Sequence, residues 1–284
     1  MSFAQFPLDP RLQQGVRGLE FTQPTPIQTA TIPAALQGRD ILGSAETGTG
    51  KTAAYLLPLM HKLLAKPGAQ RQPRALILVP TRELALQVAE HASQLGAHTD
   101  LRITAIFGGV SLVNQEIALR RGVDVVIATP GRLLDHIQRR TIAFAGLQVL
   151  VLDEADRMLD VGFLPDLRRI ARLLPRERQT MLFSATLQPI LDLAGEVTRH
   201  PVRVEVEKAA TPDVIEQTLF PVSETLKFQL LHELLQYEDM DSVLVFTRTK
   251  HRADRLARNL ERAGLQAAVI HSNRSQNQRI AALE

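Results

Sequence analysis

Short, continuous apolar runs alternate with longer amphipathic stretches over most of the first 206 residues. Residues 75–79 stop at Pro80, 102–107 at Gly108-Gly109, and 124–128 at Thr129-Pro130-Gly131-Arg132. Two further runs, 147–152 and 180–183, end at Asp153-Glu154-Ala155-Asp156 and at Ser184-Ala185-Thr186. Runs of this length, mostly apolar and in 75–79 apolar throughout, predict parallel strands buried on both faces. The stretches between them carry helical spacing, and residues 202–206 add an edge strand. The expected fold is therefore α/β, with a mostly parallel sheet whose functional loops gather beyond the strand C-termini. The alternation then restarts. Strands are predicted at 217–220, 242–246 and 267–270, with helices at 226–235 and 251–263. This divides the chain into a first domain at 1–206, a polar linker at 207–214 and a thin second domain at 215–284.

The strand-to-helix junction at 41–52 carries the strongest chemistry. Ile41-Leu42 close a strand, Thr47-Gly48-Thr49-Gly50 form a turn, and apolar spacing from 53 to 63 predicts the following helix. A Gly-rich turn of this kind aims several backbone N–H groups at one point, where the helix N-terminus adds partial positive charge, so polyphosphate fits. Lys51 reaches terminal phosphates and the Thr52 hydroxyl suits Mg²⁺. A structural turn explains the glycines but not Gly50-Lys51-Thr52 together.

Other candidates are weaker one at a time. Upstream, Pro24 and Pro26 stiffen the chain before Gln28, which opens a helix running to Leu36. The Gln28 carboxamide suits an adenine edge and Phe21 offers a stacking face; a Pro-rich loop with a helix-capping Gln is the alternative. Among the strand-end carboxylates, Asp153 is assigned to water-held Mg²⁺ and Glu154 to the attacking water, with an acidic helix cap as the alternative. Ser184 and Thr186 are placed to link nucleotide state to neighbouring loops. Arg82, Gly108, Gly109, Thr129, Gly131 and Arg132 share one loop layer suited to a nucleic-acid backbone, although each arginine alone is equally an ordinary surface residue.

Composition narrows this modestly. The 284 residues are 45% hydrophobic and 22% charged, with net charge +3 and no cysteine. Disulfides and thiolate chemistry are excluded, a zinc site is unlikely on these grounds, and a cytoplasmic protein is expected. No apolar stretch reaches membrane-spanning length, and the N-terminus lacks a secretory layout. The C-terminal end of the chain is conspicuously basic, from Arg248 through Arg279, with a solvated helix face as the alternative reading.

Taken in order, these motifs resemble the DEAD-box ATP-dependent RNA helicases, closest to the bacterial RhlE-like group. Phe21 and residues 24–28 are similar to the adenine-recognising Q motif, and 45–52 to the phosphate-binding motif. Residues 153–156 spell Asp-Glu-Ala-Asp. Pro80, Thr81 and Arg82, Gly108-Gly109, and Thr129, Pro130, Gly131 and Arg132 match RNA-contacting motifs of the first lobe. Thr247 and Arg248, with Asn273 and Gln276, match those of the second. The resemblance implies two RecA-like lobes, ATP with Mg²⁺, RNA as partner, Lys51, Asp153 and Glu154 as catalytic groups, and coupling through Asp156, Ser184 and Thr186. Glu20, Ala45, Glu46 and Ser272 depart from the usual pattern without removing a catalytic group. The later second-lobe motifs, including an arginine-rich one, do not occur before Glu284. The expectation is therefore a chain truncated within the second lobe, with weak hydrolysis; a nucleotide-gated RNA clamp without unwinding is the alternative.

Overall fold

A computed structural model describes residues 2–65, 72–206, 216–236, 240 and 242–283. The chain divides into two compact units, 1–209 and 210–284. The expected linker, 207–214, lies outside the described residues.

In the first unit, α1 (Pro10–Gly18) and α2 (Pro26–Leu36) precede β1 (Ile41–Ser44) and α3 (Lys51–Ala65). Then follow β2 (Ala75–Leu78), α4 (Arg82–Leu95), β3 (Ile103–Ile106), α5 (Leu112–Arg120), β4 (Val125–Ala128) and α6 (Pro130–Gln138). The unit closes with β5 (Val149–Leu152), α7 (Ala155–Asp160), α8 (Leu164–Leu173), β6 (Gln179–Ser184), α9 (Leu191–Val197) and β7 (Val202–Glu205). All seven strands are parallel, in the order β3-β4-β2-β5-β6-β1-β7. Every strand predicted in this unit is present, with boundaries within two residues of the apolar run.

The alternation of side chains along each strand splits the core into two layers. Ile41, Ile77, Val149, Val151, Met181 and Phe183 face a layer that includes Leu12, Ile27, Leu56 and Val88 from α1 to α4. Their neighbours Leu42, Leu76, Leu78, Leu150, Leu152 and Leu182 face the opposite layer, with Leu133, Met158, Leu167 and Leu193 from α6 to α9. Both faces being covered is why these runs read as uninterrupted apolar stretches. At the strand N-termini the buried Asp40 carboxylate accepts hydrogen bonds from the backbone N–H of Thr180 (2.8 Å) and Arg199 (2.7 Å). One side chain so fastens the starts of β1, β6 and β7, leaving the opposite rim for chemistry.

The second unit departs from expectation. Its helices α10 (Lys227–Leu234), α11 (Lys250–Arg262) and α12 (Gln276–Ala281) agree with the sequence pattern where one was predicted. The strands expected at 217–220, 242–246 and 267–270 are absent: no ladder pairs these segments among the described residues. Leu219 and Phe246 are 89% and 88% exposed. A strand forms only against a hydrogen-bonding neighbour and a packed face, and an apolar run supplies neither by itself.

Candidate active site and nucleic-acid interface

The loop between β1 and α3 makes a tight turn from strand to helix. Gly48 and Gly50 take φ of +82° and +91°, in the left-handed region where a Cβ is strained. Their surroundings differ. A Cβ on Gly48 would meet open space, whereas one on Gly50 would fall 2.4 Å from Gln28 Nε2. Gly50 is thus required by a close approach: Gln28 Nε2 donates to the Gly50 carbonyl (3.1 Å) while its Oε1 accepts from Thr25 N–H (2.9 Å). The capping role weighed against adenine recognition is therefore real, and Gln28 also ties α2 to the phosphate loop. Thr49 Oγ1 donates to the Glu46 carbonyl (2.7 Å), holding the turn, with Thr47 exposed beside it. Lys51 is buried with its Nζ donating to the Ala45 carbonyl (2.7 Å), an ammonium parked over the loop.

Facing Lys51, at the end of β5, Asp153 is buried at 3% exposure. Its Oδ2 accepts from the Tyr55 hydroxyl (2.9 Å) and its Oδ1 from Glu154 N–H (2.9 Å). Burial pushes the Asp153 carboxyl up from its ordinary range, against the opposing pull of the Lys51 charge and the Tyr55 and Glu154 hydrogen bonds. Burial likewise raises the Tyr55 phenol well above its usual value, helped by the Asp153 charge, while the Thr52 hydroxyl acts the other way. Glu154 caps α7 in a left-handed conformation (φ +50°) rare outside glycine and found where function over-determines the backbone. Its carboxylate pairs with Arg157 Nη1 at 3.1 Å.

A buried carboxylate short of compensating positive charge, beside a loop with open space at Gly48, fits a dication bound together with phosphate. Among the described residues no three His, Asp or Glu side chains converge into a protein cage. That suits Mg²⁺, which keeps waters and takes one or two protein oxygens plus phosphate oxygens. Thr52 and Asp153 are the residues that would hold it.

Asp156 turns the other way. Its Oδ2 accepts from Ala185 N–H (3.1 Å), Thr186 N–H (3.0 Å) and Thr186 Oγ1 (3.0 Å). Ser184 Oγ donates to the Thr186 carbonyl (2.7 Å) and accepts from Asp156 N–H (3.3 Å). Burial tends to raise the Asp156 carboxyl, but hydrogen bonds led by Thr186 outweigh it and hold it below the usual range.

The loop after β3 is gripped from two sides. Gly109 has φ +81°, and a Cβ there would fall 1.9 Å from Arg82 Nη1, so the guanidinium lies against the glycine backbone. Arg132 Nη1 donates to the Val110 carbonyl (3.2 Å). Strand order explains the meeting, since β3, β4 and β2 are adjacent. Pro80 is buried, Thr81 caps α4 by accepting from Leu84 N–H (3.2 Å), and Thr129 and Pro130 start α6. Beside Gly131 a Cβ would meet open space. In the second unit, Thr247 Oγ1 donates to the Thr249 carbonyl (3.1 Å) and Arg248 lies in the turn before α11. Asn273 Oδ1 accepts from Lys250 Nζ (3.1 Å), and Gln276 is buried at the start of α12. Phe21 gives one face to Phe3, with ring centroids 6.2 Å apart.

The family model described as DEAD/DEAH box helicase matches residues 25–193, and that of the helicase conserved C-terminal domain matches 226–284. The chain belongs to the DEAD/DEAH box helicase family. It is 42% identical over 283 residues to the ATP-dependent RNA helicase CshA of Listeria monocytogenes, covering 99% of this chain and 54% of that protein. It is 43% identical over 288 residues to the ATP-dependent RNA helicase RhlB of Xanthomonas campestris, covering 98% of this chain and 50% of that one. The chain thus spans about half the length of these curated relatives. A crystal structure of a DEAD box protein from the hyperthermophile Methanococcus jannaschii matches with a TM-score of 0.68 and 35% identity, over 100% of this chain and 76% of that one. The names CshA and RhlB carry the family and not the RhlE-like subgroup.

Two parts of this DEAD-box site escape motif reading. Tyr55 is the first; its signal is a lone hydroxyl in the apolar run 53–60, one helical turn beyond Lys51 on the same face. The second is a buried chain behind the loop that follows β3. Gln115 Nε2 donates to the Phe107 carbonyl (3.0 Å) and Gln115 Oε1 lies 3.1 Å from His136 Nε2, while His136 Nδ1 lies 2.8 Å from Thr141 Oγ1. Burial depresses the His136 basicity, assisted by Arg132, which favours a neutral ring. Neither glutamine nor histidine stands in a motif, so no spacing announces them.

Proposed function

We propose that the first unit binds ATP with Mg²⁺ and hydrolyses it, and that the whole protein uses this cycle to bind and locally remodel RNA in the cytoplasm. One observation carries the reading: a single tetrapeptide sets Asp153 on Tyr55, in the helix that begins at Lys51, and Asp156 onto Ala185 and Thr186. A change at the phosphates is thereby passed to a second strand-end loop. Backbone amides of the 47–50 turn and the start of α3 receive phosphate oxygens, and Lys51 leaves the Ala45 carbonyl for the terminal phosphate. When bound, Mg²⁺ neutralises phosphate charge and orients the β- and γ-phosphates. Glu154 orients the attacking water and takes its proton on the carboxylate oxygen not held by Arg157.

RNA contact follows from the same rim. Arg82 and Arg132 order the 108–110 loop, which presents backbone N–H groups to a phosphodiester chain, and recognition of this kind is blind to base identity. Thr247, Arg248, Asn273 and Gln276 are assigned to RNA contact by the second unit, taken by itself.

The test is nucleotide hydrolysis by the protein with RNA, with DNA and with neither, with Lys51→Ala and Glu154→Gln as controls. RNA-selective stimulation that both variants abolish is the expected result. Equal rates with and without RNA, alongside ATP-dependent RNA retention, would make the protein a clamp instead. Stimulation by DNA alone would remove RNA from the reading.

A further inference from the structure

Tyr55 sits on the helix that starts at the phosphate loop, fully buried, with its ring centroid 5.5 Å from that of Phe183. Its hydroxyl spans from α3 to β5 and donates to Asp153 Oδ2 at 2.9 Å. A phenylalanine would fill the same apolar space, so packing does not account for the oxygen. The hydroxyl has a definite use: a buried carboxylate oxygen without a donor is costly, and one with a donor is held in a single rotamer. The other oxygen, Oδ1, is fixed by Glu154 N–H at 2.9 Å. With both oxygens held, the carboxylate plane is set before any ligand arrives.

We infer that Tyr55 is a positioning residue for the metal site: its hydroxyl holds Asp153 ready to receive a divalent cation brought with nucleotide. Partners of this kind around a metal-binding carboxylate typically contribute about 10–100-fold in metal affinity. The inference rests on the ATP–Mg²⁺ reading above.

The experiment uses a fluorescent ADP analogue titrated into the 284-residue protein across a MgCl₂ series and in EDTA. Tyr55→Phe removes one oxygen and leaves the ring. Roughly a tenfold rise in the Mg²⁺ concentration for half-maximal nucleotide affinity is expected, with affinity in EDTA unchanged. A half-saturation equal to the parent's, or equal losses with and without Mg²⁺, would overturn the proposal, because a merely structural tyrosine acts on both alike. If the parent itself shows no Mg²⁺-dependent nucleotide binding, the ATP–Mg²⁺ reading fails instead, and Lys51→Ala marks that baseline. A second measurement avoids any folding defect of the variant. The chain contains two tyrosines, Tyr55 and Tyr237, and no tryptophan. Ring-labelled tyrosine therefore yields two NMR signals, assigned with Tyr237→Phe. Adding Mg²⁺ to the nucleotide-bound protein should shift the Tyr55 signal; an unmoved Tyr55 signal would overturn the inference.

Discussion

Asp153 illustrates what a buried carboxylate costs the free protein. Its carboxyl is raised by burial, so the native state holds the proton more tightly than the unfolded chain does. Below the ordinary aspartate range both states are protonated and nothing is lost. As pH rises through the folded-state value, the native protein must ionise a buried group and its stability declines. Asp153→Asn removes that cost and keeps an acceptor for the Tyr55 hydroxyl, at the smaller loss of the bond from Glu154 N–H, which an amide NH₂ cannot accept. At pH 7 without ligand it should melt roughly 2–4 °C higher, the shift about 1 kcal/mol produces in a domain of this size. Addition of MgCl₂ to the ATP-bound protein should raise the parent's melting temperature further and leave that of ATP-bound Asp153→Asn unchanged. A variant less stable than the parent in the absence of ligand would contradict the assignment of Asp153 as an undercompensated charge.

Gly109 gives a second residue-scale test of a different kind. Alanine there meets both a left-handed backbone, at about 1–2 kcal/mol, and the Arg82 guanidinium. Because the strain is confined to the 108–110 loop and its arginine, RNA affinity should fall about tenfold, the equivalent of 1.4 kcal/mol. Nucleotide affinity without RNA should stay within the error of the parent's. Filter binding and fluorescent-nucleotide titration on the same preparation check both halves.

Among elements, the links between strand ends matter more than the strands. Asp156 joins the turn after β5 to the turn after β6 through three accepted hydrogen bonds. Because those bonds hold its carboxyl below the usual range, the stability they supply is present above the ordinary aspartate value of 3.8 and is lost only as pH falls through the lower folded-state value. The tie is accordingly intact throughout neutral pH, and only mutation removes it there. Asp156→Ala should lower RNA strand displacement by about tenfold or more, the order expected of three lost hydrogen bonds at about 0.5–1.5 kcal/mol each, while ATP hydrolysis falls far less. Parallel loss of both activities would place Asp156 in the hydrolytic step rather than in coupling. The same scale shows what the sequence makes legible. Runs such as 75–79 and 147–152 declare themselves because their flanks on both sides are built within the first unit. The loop motifs after them are legible because phosphate and backbone chemistry demand glycine, lysine and carboxylate at fixed intervals. Tyr55 with Asp153, and Gln115 with His136, are not legible, since spacing records which residues share a helix face and not which side chain crosses to meet them. Gln28 lies between these cases: its helix start was readable, its bond to Gly50 was not.

At the scale of the whole chain, apolar pattern and folding part company. Both core layers lie wholly within residues 3–206, whereas among described residues of the second unit only Ala257 and Leu260 are buried apolar side chains. The segments 217–220, 242–246 and 267–270 have apolar sequence without a ladder. The helices of that unit are 8, 13 and 6 residues long, and isolated helices of this length are marginal in water. Local ties do exist, since Asp254 accepts from His271 Nε2 (3.0 Å) and Arg274 Nη2 (2.9 Å), but they join partly buried polar groups and not an apolar core. Cooperative unfolding requires a shared core, so the two units should respond differently to separation. Residues 1–209 alone should melt in one transition within about 2 °C of the main transition of the 284-residue chain, a change well under 1 kcal/mol for a unit of this size, and should bind nucleotide as tightly. Residues 210–284 alone should show helical circular dichroism that declines gradually on heating, with no sigmoidal step. A sharp transition in the shorter piece, or a clear fall in the melting temperature of the longer one, would mean that the second unit holds a core of its own or supports that of the first.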